Sequence, residues 1–162
     1  MGATIWLGAY FAMKEKYRLQ ELEELERGLI YLQGQIGYLS APLTQAMEGI
    51  SWKTNGQLGE IFQKVAGRLA ERRESSAEEI WKEVWQKEAA NTFFSAEDLE
   101  AILLFGRSLG YLDKTQQENS VDLLMRYIEN ALSQGRKRLE KNGRLYYGMG
   151  CLSGLLIVVT LL

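Results

Sequence analysis

The side chains on which most enzyme chemistry depends are missing from this sequence or poorly placed for it. No histidine occurs, which removes the commonest general base and the commonest metal ligand. Zinc centres and Ser-His or Cys-His nucleophile pairs are thereby set aside. The one cysteine, Cys151, has no internal disulfide partner and lies in an apolar run, where a thiol packs as a small hydrophobe. Carboxylates adjoin at Glu78–Glu79 and Glu97–Asp98. Both pairs fall in the first turn of a predicted helix, where negative charge meets the positive end of the helix dipole. Capping and solvation account for them without catalysis. There is no Gly-x-x-x-x-Gly-Lys-Ser/Thr loop and no Gly-x-Gly-x-x-Gly turn to cradle phosphate. The sequence thus assigns no catalytic, cofactor-binding or metal-binding residue.

Two other groups of residues could act through binding. Trp81 and Trp85 stand one helical turn apart, placed for a core or for a partner-binding hot spot. Arg107 is the other side chain whose exposure would mark a docking patch. Arg136, Lys137, Arg138, Lys141 and Arg144 form a basic cluster. A net charge of −2 gives no general attraction to nucleic acid. The cluster sits directly before an uncharged stretch, so lipid headgroups are its better-matched ligand.

That stretch belongs to an uneven charge layout. All 19 basic and 21 acidic side chains lie between Lys14 and Arg144. The run 145–162, taken as a helix, reaches about 27 Å against a hydrocarbon core of about 30 Å. Tyr146 and Tyr147 would stand at the water interface. Gly150 and Gly154, four apart, would let another membrane helix approach closely. The run 1–13 reaches only about 20 Å, and Lys14, Lys16 and Arg18 follow it. It reads as a short membrane helix or an interfacial segment. Basic flanks at both ends place the polar middle in the cytoplasm.

The middle must be helical. Pro42 is its one proline, and apolar residues recur at spacings of three and four. Leu22, Leu25, Leu29, Leu32, Ile36 and Leu39 form one heptad seam. Val121, Met125, Ile128, Leu132 and Leu139 form another, with Gly135 at the vacant heptad position. Pro42 suits the first turn of a short helix carrying Leu43, Ala46, Met47 and Ile50. Ser51 to Gly56 reads as a loop, and Gln57 to Ala70 as a third helix. Ser76 with Glu79, and Ser95 with Asp98, predict two capping boxes. Gly110 should end the fifth helix. Asp113 should cap the last one, with Gln117 facing back toward the fifth. The fold class predicted is all-α: a bundle of about six helices whose long first and last members run into apolar membrane segments. The divisions are 1–13, 14–144 and 145–162, with the long helices pairing antiparallel as a stalk.

The sequence resembles the stage III sporulation protein AB family of endospore-forming bacteria, relatives of the type II secretion F-type platform protein. The likeness spans essentially the whole chain. It rests on the apolar start leading to Ile36, Tyr38 and Ala41-Pro42-Leu43, and on the Leu58, Ile61, Phe62 helix before Trp81. Its most specific part is Phe105-Gly106, Leu109-Gly110, Asp113 and Gln117. A basic helix entering a Gly-rich apolar end completes it. Leu112 departs from the small polar residue usual before the Asp. The resemblance implies a non-enzymatic platform in the outer forespore membrane, its helical domain facing the mother-cell cytoplasm. It would join a separate cytoplasmic ATPase to other sporulation channel proteins, with homo-oligomers open. The residues alone also fit a membrane-tethered coiled-coil adaptor that self-associates, unrelated to secretion.

Overall fold

The computed structural model describes residues 2–39, 42–71, 75–110 and 113–161, and every regular element among them is helical. Helix α1 (Gly2–Gly34) runs without a break from the apolar start into the Leu- and Glu-rich segment. A single π-turn, Gln35–Leu39, follows it just ahead of Pro42. In α2 (Leu43–Lys53) the Pro42 carbonyl accepts the Ala46 N–H at 3.0 Å. The connection to α3 (Gly56–Ala70) is shorter than the loop expected over Ser51–Gly56. Ser51 donates to the Glu48 carbonyl at 2.6 Å and Thr54 to the Ile50 carbonyl at 3.0 Å. Hydroxyls that read as turn formers bond back onto α2 carbonyls, and the helix runs on to Lys53.

Both capping boxes form. At the start of α4 (Ala77–Glu88) the Ser76 hydroxyl accepts from the Glu79 N–H at 3.2 Å, and the Glu79 carboxylate accepts from the Ser76 N–H at 2.9 Å. Ser95 and Asp98 repeat the exchange at 3.1 and 2.8 Å before α5 (Ala96–Gly106). A tight 3₁₀ turn, Arg107–Gly110, prolongs α5 as far as the expected stop at Gly110. In α6 (Lys114–Leu161) the Asp113 carboxylate accepts the Thr115 N–H at 3.0 Å, the cap its position predicts.

Helices α1 and α6 lie antiparallel, as the pairs between them show. The Gly37 carbonyl accepts from Lys114 at 2.6 Å, Gln33 meets Asp122 at 2.9 Å, and Glu23 meets Arg136 at 2.8 Å. Numbers rise along one helix as they fall along the other. The two seams face inward: Leu22, Leu25, Leu29 and Leu32 are buried, as are Val121, Ile128 and Leu132. Leu124 joins them, although it stands outside the expected spacing. A Cβ at Gly135 would run into the Leu19 side chain, so the vacant heptad position is the space that Leu19 fills. The short helices close the core around Phe62, Trp81, Trp85, Phe94 and Phe105, whose neighbouring rings stand 5.4–6.0 Å apart.

The antiparallel arrangement sends both apolar runs out of the same end of the bundle. Trp6, Leu7, Tyr10, Phe11 and Met13 are exposed, and so are Leu156, Val158 and Val159. The other side chains of 145–162 lie outside those described. Among the described residues no helix is long and apolar enough to cross a membrane.

Candidate functional site

Two charged residues occupy places where the helical seams call for hydrophobes. Arg18 stands four residues before Leu22 and seven before Leu25 on α1. Asp98 stands four before Ile102 and seven before Phe105 on α5. The fold brings them together. Arg18 donates through Nε to Asp98 Oδ2 at 2.6 Å and through a terminal nitrogen to Oδ1 at 2.8 Å. The Tyr127 hydroxyl of α6 donates to Oδ1 at 2.8 Å. Glu15 accepts a further Arg18 nitrogen at 2.9 Å. One carboxylate therefore caps α5 and ties it to both long helices. Asp98 is wholly buried, so its capping role stands but the solvated surface expected for it does not. The sequence signal that could have found this clasp is the register of Arg18 and Asp98 on apolar faces.

Electrostatics make the clasp a fastening and not a proton carrier. Burial alone would raise the Asp98 carboxyl, but the Arg18 guanidinium, the Ser95 N–H and the Tyr127 hydroxyl outweigh it and hold it below the usual carboxylate range. The hydrogen bond to Asp98, opposed by partial burial, pushes Arg18 further up. Burial and the Asp98 acceptor push the Tyr127 hydroxyl well above its ordinary value. None of the three exchanges protons near neutral pH. A second tie joins α3 to α4, where Glu88 accepts from Lys64 at 2.7 Å and from Gln57 at 3.2 Å. The Lys64 bond holds Glu88 below its usual range. Among the described residues no group of acids or Cys could hold a metal ion.

An apolar groove of about 610 Å³ opens beside the clasp, between α5 with its 3₁₀ turn and α6. Phe105 and Leu124 lie along it, Leu104 and Leu123 stand exposed within it, and Tyr127 lines it too. Arg107 and Arg126 also line it, both exposed and neither with an acidic partner among the described residues.

The remaining sequence candidates disperse. Trp81 and Trp85 are completely buried, so the core reading describes them and a partner cannot reach them. Trp81 Nε1 donates to the Ile102 carbonyl at 2.9 Å, whereas Trp85 Nε1 is buried with no partner among the described residues. A Cβ at Gly106 would strike the Trp81 ring. Pro42, Gly110 and Asp113 serve helix ends. Gln117 is half-buried, its N–H on the Asp113 carbonyl at 3.2 Å. Arg136 pairs with Glu23, while Lys137, Arg138 and Lys141 are exposed on α6. Arg144, Gly150 and Gly154 lie on the α6 backbone, outside the residues whose side chains are described, and Leu112 lies outside the described residues altogether.

A solved structure shares this fold. The solved structure of a stage III sporulation protein AB (SpoIIIAB) superposes with a TM-score of 0.71 at 20% identity, over 76% of this chain and 97% of that one. Stage III sporulation protein AB of Bacillus subtilis (strain 168) is 24% identical over 160 residues, covering 99% of this chain and 93% of the relative. The family model described as stage III sporulation protein AB matches residues 1–162, and the chain belongs to that family.

Proposed function

We propose that this protein is a non-enzymatic membrane platform of a sporulation channel between mother cell and forespore. Its helical domain, 14–144, faces the mother-cell cytoplasm from the outer forespore membrane. There it couples a cytoplasmic secretion-type ATPase to membrane-embedded channel proteins. Family membership supplies the sporulation setting. The observation that carries the membrane part is the exit of two uncharged runs, 1–13 and 145–162, from one end of an antiparallel helix pair. Apolar side chains exposed on those runs are unfavourable in water and favourable in lipid. The exposed Lys137, Arg138 and Lys141 follow on α6 at the edge of that end, where anionic headgroups would meet them.

The test is fractionation of sporulating cells followed by co-purification with the cognate ATPase. The full chain should sediment with membranes, resist alkaline carbonate and come away with detergent. It should then retain the ATPase. Recovery in the soluble fraction would end the membrane reading. Two folded proteins that never associate in membranes or detergent would end the platform reading. Self-association as a coiled-coil adaptor has less to rest on, because the two heptad seams that motivated it pack against each other inside one chain.

A further inference from the structure

We propose that the groove between α5 and α6 is a docking site for an acidic amphipathic helix of a partner protein. Its floor is apolar, with Phe105 and Leu124 below and Leu104 and Leu123 exposed within it. A soluble surface gains nothing by leaving two leucines in a groove between helices, and such patches mark interaction sites. The groove runs along α6, so a third helix laid in it would bury leucine-type side chains at i, i+3, i+4 and i+7. The charge is one-sided: Arg107 on the 3₁₀ turn and Arg126 on α6 both line the groove, each without an acidic partner among the described residues. Carboxylates flanking the occupant's apolar face would pair with them.

A second copy of this chain does not offer that occupant. Its acidic helix α1 has its leucine seam buried in its own core. Three of that helix's carboxylates are already engaged: Glu21 by the Phe93 N–H, Glu23 by Arg136, and Glu24 by Arg27. Helix α4, with Glu78, Glu79 and Glu83, likewise turns its apolar face inward through Ile80, Trp81 and Val84. The complementary helix must therefore come from another protein.

The proposal deepens the platform reading and rests on it for its setting, but it is measured separately. The full-length protein is placed in nanodiscs and titrated with two fluorescent designed peptides. One is a leucine-faced helix flanked by glutamates, and the other is its lysine-flanked counterpart. The glutamate peptide should bind at least about tenfold tighter. Arg107→Glu with Arg126→Glu should invert that preference. Leu104→Ser with Leu123→Ser should abolish binding of both peptides, with the helical circular dichroism of each variant unchanged, since all four side chains are exposed. Equal binding of the two peptides, or an unaltered preference in the charge-reversed variant, overturns the proposal. So does a wild-type dimer that the charge reversal splits, because the occupant would then be a second copy. No ATPase enters the measurement, so a failed co-purification and a failed titration report on different claims.

Discussion

Four donors converge on the two oxygens of Asp98: two from Arg18, one from the Ser95 backbone and one from Tyr127. Removing one partner of such a buried pair leaves the other desolvated and uncompensated. Asp98→Asn keeps the side chain's shape and should cost about 3 kcal/mol of unfolding free energy, read from urea midpoints at neutral pH. The pH dependence has a definite sign. Because the folded carboxyl is held below its unfolded value, the unfolded chain takes up the proton first as acid is added. The stabilisation is complete above the ordinary carboxylate range and is lost as pH falls from there through the lower folded value. The wild type should lose stability on acidification more steeply than Asp98→Asn, and parallel acid limbs would refute the clasp. Glu21 works the other way: burial raises it despite the bond from the Phe93 N–H, so its charge weakens the fold as pH rises. In the sequence Asp98 reads only as a capping residue. Its second role depends on Arg18, 80 residues away; the register of both residues on apolar faces signals burial but does not pair them.

At the level of elements, the segments with strong punctuation are the ones the sequence makes plain. Pro42, the serine caps and Asp113 each satisfy or forbid particular backbone groups, and each boundary falls where that chemistry puts it. The end of α2 escapes because Ser51 and Thr54 can serve a turn or a helix equally well, and packing decides. The two tryptophans of α4 separate by hydrogen bonding and not by burial. Trp81→Phe gives up the bond to the Ile102 carbonyl, while Trp85→Phe removes a buried donor that has no partner among the described residues. We expect Trp81→Phe to be the more destabilising by about 1 kcal/mol in thermal or urea unfolding. Equal losses would mean that the Nε1 bond contributes nothing.

For the molecule as a whole, the all-helical class, the long outer helices and their inward seams are legible from spacing alone. The groove is not, because its walls come from α5 and α6 and only the assembled bundle leaves Leu104 and Leu123 uncovered. With both seams consumed inside one chain, a fragment of residues 14–144 should sediment as a monomer. A stable dimer would restore the adaptor reading. The antiparallel closure also governs the order of events during synthesis. Leu19 to Ile36 leave the ribosome about a hundred residues before Val121 to Leu132, the helix face that must cover them. Until then the nascent α1 has the short helices, chiefly α2, to shelter its leucines. The protein therefore completes its core only once this part of α6 has been made, and a chain stalled before α6 would carry an open, adhesive flank that chaperones must hold.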